Sequence, residues 1–188
     1  GRETHRVPDP FLVMATQNPI ESEGTYPLPE AQIDRFMLKV VVGYPDADDE
    51  LTVVERALAG FADVRPILEL ADLADLRAAA TRVYVDPAIS RYAIQLANGT
   101  RAPDAVGLAE LRPHIAYGAS PRGPIALVTA ARALALIHGR DYVVPQDVRE
   151  LAGDALHHRV VLSYEALAAE VDGAAIVDAV LEAVPVPE

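Results

Sequence analysis

With 188 residues, 51% of them hydrophobic and 23% charged, the chain is long enough to bury the core of one ordinary domain or two small ones. Its formal charge is −12, from 28 acidic residues against 16 Lys and Arg with no dense basic block, which argues against holding duplex nucleic acid by its phosphates. Cysteine is absent, excluding disulfides and thiolate metal sites, and no apolar run approaches the roughly 18 residues of a membrane span.

Aromatic residues are only 5% of the chain and alanine is abundant, so burial has to come from aliphatic side chains on helices, and the expected fold is mainly α. The chain opens at Gly1 without Met and looks structured within a few residues, which predicts a piece of a longer polypeptide. No signal peptide pattern opens it, and a cytoplasmic location is the default expectation.

Phe11-Leu12-Val13-Met14-Ala15-Thr16 is a continuous apolar run between prolines, the pattern of a strand buried on both faces. Phe36 to Val42 is a second such run, ended by Gly43-Tyr44-Pro45. Between them lie a Gly- and Pro-containing loop, Glu21 to Leu28, and a short helical stretch, Pro29 to Arg35. Strand, loop, helix and strand in this order predict a piece of a parallel α/β sheet.

Beyond Pro45 the period is helical. Asp46, Asp48, Asp49 and Glu50 load acid onto a helix start, Leu51, Val54 and Leu58 repeat along one face, and Gly60 stops it. A second helix is expected from Asp72 to about Arg82. Asp86 and Pro87 open a third, with Ile89, Tyr92, Ala93, Leu96 and Ala97 as its buried stripe. After a polar connection, Thr100 to Ala119, Ser120 and Pro121 begin a helix that is apolar nearly all round from Ile125 to Ile137, as suits the centre of a bundle, with Gly139 as its stop. Pro145 opens another helix with Val148, Leu151, Ala152, Ala155 and Leu156 on one face, and a last one runs from about Gly173 to Val184.

Three residues stand out chemically. Asn18 follows the first strand, where ligands of α/β sheets bind and an uncharged amide orients a water or contacts a phosphate; the alternative is an Asn-Pro turn that only ends the strand. Arg35 sits between a helix and a strand anchored by Phe36, so its guanidinium is placed to reach a phosphate; the alternative is a salt bridge to Asp34 or Glu30. Arg122 lies in the first turn of the most apolar helix, where the macrodipole disfavours a cation unless an anion completes the site; the alternative is a solvated arginine in a turn. His5, His114, His138, His157 and His158 offer no convincing metal spacing, and His157 and His158 read as structural or surface residues.

The segments from Phe11 to Glu21, Glu23 to Gln32 and Asp34-Arg35-Phe36 closely resemble the stretch from sensor 1 to the arginine finger in the MoxR family of AAA+ ATPases. Gly118-Ala119-Ser120-Pro121-Arg122 resembles that family's sensor 2, and Gly139 to Val143, Pro145, Asp147-Val148 and His158-Arg159 resemble the rest of its lid. The resemblance covers essentially the whole chain. It implies residues 1–45 as the end of an ATPase core and 46–188 as a helical lid, with Asn18 as sensor 1, Arg35 as the finger given to a neighbouring subunit, and Arg122 as sensor 2. It further implies ATP and Mg²⁺ as cofactors, a ring of identical subunits, expected to be a hexamer, and a chaperone-like remodeller working with a von Willebrand factor A-type partner protein. The departure is an omission: no G-x-x-x-x-G-K-[ST] loop and no apolar strand ending in acidic residues occur here. A non-catalytic helical interaction module that retains lid features is the competing expectation, while a DNA-dependent motor is disfavoured by the charge.

Overall fold

Four of the helices start after a short polar side chain, Asp46, Asp86, Ser163 or Asp172, that satisfies orphan N–H groups of the first turn. The computed structural model describes residues 3–17, 28–60 and 63–187. The short α1 (Glu30–Ile33) follows Pro29. In α2 (Ala47–Ala59), Asp46 Oδ1 accepts from the backbone N–H groups of Asp48 and Asp49 at 3.1 and 2.9 Å. At α3 (Leu70–Arg82), Asp72 reaches back to accept from Glu69 N at 2.8 Å. Asp86 caps α4 (Pro87–Arg101). Next come α5 (Arg122–Ile137) and α6 (Pro145–Leu156), then α7 (Tyr164–Ala168) capped by Ser163 and α8 (Gly173–Ala183) capped by Asp172.

The hydrophobic core lies among α4, α5, α6 and α8, with α5 packed on α4 and α6, and α8 on the same two helices. Tyr92 and Leu96 of α4, Leu127 of α5, Val148 and Leu156 of α6, and Ile176, Val177 and Val180 of α8 are fully buried. Each such side chain contributes roughly 1.5–3 kcal/mol relative to leaving it in water. The α4–α8 crossing is close enough that a Cβ on Gly99 would stand 2.6 Å from a Val180 methyl. Gly139, at φ +71°, lets Arg140 N donate back to Ala135 O at 2.9 Å and closes α5.

The predicted stripe of α4 is buried at every position, but α5 is not enclosed all round: Ile125 and Ile137 are exposed while Ala126, Leu127, Ala130, Ala131 and Ala135 face inward. The connection from Thr100 to Ala119 is also more ordered than its polarity predicts. It holds two 3-10 turns, Pro103–Val106 and Ala109–His114, and β1 (Ile115–Tyr117), which pairs antiparallel with β2 (Val161–Leu162). Elements of two or three residues are too short to carry a readable hydrophobic period.

The two apolar runs expected as buried strands form no strand and join no sheet among the described residues, and the second begins in a bend at Phe36 and Met37. Met14 is 82% exposed and Val42 88%. A groove of about 550 Å³ lies between the runs, lined by Val13, Met14 and Thr16 on one side and Leu38, Val40 and Val42 on the other. Buried strands need ladder partners, and none of the described residues supplies one between these two. Helix α2 likewise forms as predicted, yet its Leu51, Val54 and Leu58 face is exposed.

Candidate functional site

The turn after α1 carries Asp34 and Arg35, and their side chains go different ways. Arg35 is exposed and, among the described residues, forms no ion pair, so the alternative salt bridge to Asp34 or Glu30 is not made. Asp34 turns instead toward the helical bundle. Its side chain is 19% exposed and meets Ser120, Arg122 and Arg159.

Ser120 and Arg122 are delivered by a loop stitched to the end of α4. Thr100 Oγ1 accepts from Ala119 N at 2.9 Å, and Arg101 Nε donates to Ala119 O at 2.6 Å. Gly118 is required beside this seam, because a Cβ there would collide with the Thr100 carbonyl. Ser120 Oγ lies 2.8 and 3.0 Å from the two Asp34 oxygens, to which it donates, and itself accepts from Arg122 N at 3.2 Å. Arg122 Nη1 donates to Asp34 Oδ2 at 3.0 Å. The anion that compensates this first-turn cation is therefore the chain's own carboxylate. Burial pushes the Asp34 pKa up, but hydrogen bonds from Ser120 and Arg122 and the charges of Arg159 and Arg122 outweigh it and hold the carboxyl below its usual range.

Arg159, its side chain only 2% exposed, fixes the same segment from below. It donates to the carbonyls of Asp34 at 3.2 Å, Phe36 at 2.5 Å, Met37 at 3.2 Å and also Ala155. Its Nε stands 3.2 Å from Asp34 Oδ1, an ion pair without hydrogen-bond alignment. His158 borders the groove, with its Nε2 2.8 Å from Arg159 Nη1 and 3.3 Å from the Phe36 carbonyl oxygen; its tautomer decides whether that nitrogen accepts from the guanidinium or donates to the carbonyl. Burial and then the adjacent Arg159 charge lower its pKa to about 4.

Of the residues singled out from sequence, Arg122 is thus brought against the neighbour of Arg35, and Asn18 lies outside the described residues. Asp34, Ser120 and Arg159 are the parts that sequence reasoning missed. Their partners are 86 to 125 positions apart, a separation at which no spacing rule links a carboxylate to a guanidinium.

Residues 1–38 match the family described as ATPase family associated with various cellular activities (AAA), and residues 109–180 match the AAA lid domain. Along its whole length the chain is 45% identical to the chaperone MoxR1 of Mycobacterium tuberculosis. This chain belongs to the MoxR family of AAA+ ATPases. The MoxR protein of Paracoccus denitrificans is 35% identical across 99% of it. A crystal structure of a candidate ATPase from Cytophaga hutchinsonii superposes on 98% of it with a TM-score of 0.92 at 40% identity. The MoxR-family chain spans about half of these proteins: 50% of MoxR1, 58% of the Paracoccus protein and 56% of the Cytophaga chain.

The donor set of this MoxR-family site suits phosphate rather than a metal. Arg35 and Arg122 present exposed guanidinium groups, whose planar forks match phosphate oxygens. Among the described residues, no group of three or more His, Cys, Asp or Glu side chains converges to hold an ion.

Proposed function

We propose that this chain supplies the sensor and finger residues of an ATP-hydrolysing, ring-forming AAA+ module, with residues 1–45 ending the nucleotide-binding core and 46–188 forming its lid. The observation that carries this reading is the groove between the runs at 13–16 and 38–42, lined mostly by apolar side chains, where among the described residues no strand ladder joins the two runs. One parallel strand laid there would satisfy both edges and bury Met14 and Val42. The phosphate-binding loop that the sequence lacks belongs at the end of such a strand, in polypeptide outside these residues.

In that module ATP and Mg²⁺ are bound chiefly by the phosphate-binding loop and its acidic partner strand, and the metal offsets charge on the β- and γ-phosphates. This chain's own groups act on the phosphates. Arg122 approaches from the lid, Asn18 from the end of its core strand, and Arg35 crosses to the nucleotide of the neighbour. Guanidinium groups held before the reaction begins stabilise charge that develops during phosphoryl transfer without further reorganisation. The expected role is that of a chaperone-like remodeller; a ring of six and a von Willebrand factor A-type partner follow from the family and belong to the same proposal.

The test is a comparison of single variants in the intact protein. Arg35→Ala is expected to lower turnover by about three orders of magnitude or more with nucleotide affinity nearly unchanged. Arg122→Ala is expected to weaken nucleotide binding as well. Normal turnover in Arg35→Ala would favour the competing reading, a helical interaction module whose lid features are inherited but unused.

A further inference from the structure

The anion beside Arg122 is not a neutral bystander. Asp34 is joined through one peptide bond to Arg35, and its carboxylate accepts from the Ser120 hydroxyl and from the side chain of Arg122, the first residue of α5. Arg122 contacts an anion through an exposed ion pair, with its side chain 49% exposed. Such pairs are weak and exchange readily for a better-matched oxyanion. Asp34 would not be stranded on release, because Ser120 Oγ and the buried Arg159 charge remain against it.

We propose that Asp34 is an internal counter-anion which Arg122 must leave to reach a nucleotide phosphate, so that phosphate contact by Arg122 is registered at Arg35. In this account Asp34 is a positioning residue. With Arg122 on Asp34, the turn after α1 is held by three side chains of the helical bundle, Ser120, Arg122 and Arg159. When Arg122 moves to phosphate, one of the three is withdrawn, while Arg159 keeps its grip on the carbonyls of Asp34, Phe36 and Met37. The turn stays attached but its carboxylate is released on the Arg122 side, and the residue that shifts with it is Arg35. Nucleotide and Asp34 compete for one guanidinium, so any change that weakens the internal pair strengthens the external one.

This inference rests on the proposed role of Arg122 as a phosphate sensor, and the experiment separates the two. A fluorescent, non-hydrolysable Mg·ATP analogue is titrated into the intact protein carrying Asp34→Asn, Arg122→Ala or both. Asp34→Asn is expected to tighten binding by about three- to fivefold, the upper range corresponding to a partly exposed ion pair. Turnover should fall in the same variant, a split between affinity and rate that loss of folding does not produce. In the Arg122→Ala background, Asp34→Asn should change affinity by less than about twofold, because the competing guanidinium is gone. If Arg122→Ala weakens binding but Asp34→Asn fails to tighten it, or tightens it equally without Arg122, the inference is overturned and the sensor role stands. If Arg122→Ala leaves affinity unchanged, both fall. Should Asp34→Asn not fold because Arg159 is buried against it, Ser120→Ala keeps both charges but removes the hydroxyl that holds the carboxylate once Arg122 leaves it. It should weaken binding by about twofold, again only when Arg122 is present, and no weakening, or equal weakening without Arg122, would overturn the inference.

Discussion

Arg122 and Asp34, 88 positions apart in the chain, meet in a 3.0 Å ion pair that ties the start of α5 to the turn bearing Arg35. Arg159 completes the arrangement from the other side. The residues assigned to phosphate chemistry are therefore held through neighbours whose role is electrostatic and mechanical.

The strongest of these supports is Arg159. Replacing it by Met removes a buried guanidinium that serves Asp34 and four backbone carbonyls and leaves those acceptors without their donor. A loss of about 3 kcal/mol is expected, as for breaking a buried pair. Urea denaturation of the wild type and the variant measures it. A cost below about 1 kcal/mol would mean that the turn at residues 34–37 is held by something else.

Stability should also depend on pH through His158. Its folded pKa is about 4 against an ordinary 6.5, so below pH 6.5 the unfolded chain binds a proton that the folded chain does not. The contribution is complete above about pH 6.5 and is lost as pH falls toward 4, on the order of 1–2 kcal/mol once partial solvent contact is allowed for. Asp34, with its pKa depressed by its partners, contributes stability that is present above its unfolded value and disappears at still lower pH. Denaturation midpoints followed from pH 7 to pH 4.5 should decline in the wild type and stay flatter in His158→Gln. Equal slopes would remove His158 as the source.

Gly118 makes a third case. Ala at this position would press its methyl into the Thr100 carbonyl and pry the loop bearing Ser120 and Arg122 from α4. Overpacking of this kind costs about 1–3 kcal/mol. Gly153, where a Cβ meets nothing within 4 Å, is the control: Gly153→Ala in the middle of α6 is expected to be neutral or stabilising. Thermal melts of both variants decide it, and similar Tm values would contradict the collision.

The contrast between α4 and the runs at 11–17 and 36–42 explains what was readable in advance. In α4, Asp86, Pro87 and the Ile89-to-Ala97 stripe agree on one amphipathic helix whose partners α5, α6 and α8 lie in the same chain, and the structure matches at each position. The two runs, expected as buried strands, form no strand and stand largely exposed among the described residues, because an apolar run by itself does not say which partner covers it. Arg35 and Arg122 were found by local position and by resemblance, whereas the Asp34 contacts arise only when α1 meets the loop before α5.

The chain by itself is expected to hydrolyse no ATP above background. In the proposed reading its arginines act on phosphates that another element has to position, and the sequence contains no G-x-x-x-x-G-K-[ST] loop to cradle them. Steady-state turnover by the purified 188 residues at ordinary enzyme rates, free of contaminating ATPase, would contradict this.

The central claim, that Arg35 serves a neighbour's nucleotide, is tested most directly by mixing subunits. Intact protein carrying Arg35→Ala is combined with intact protein whose phosphate-binding loop is disabled, under conditions where subunit exchange is verified independently. Each preparation alone should be inactive. In mixed rings, some interfaces join a working phosphate loop to a working Arg35, so ATP turnover should return on mixing. Asn18→Ala mixed with the same partner should recover less, because its defect stays beside the only intact loop. Turnover that remains at the level of the separate preparations after confirmed exchange would show that Arg35 does not act across the subunit boundary.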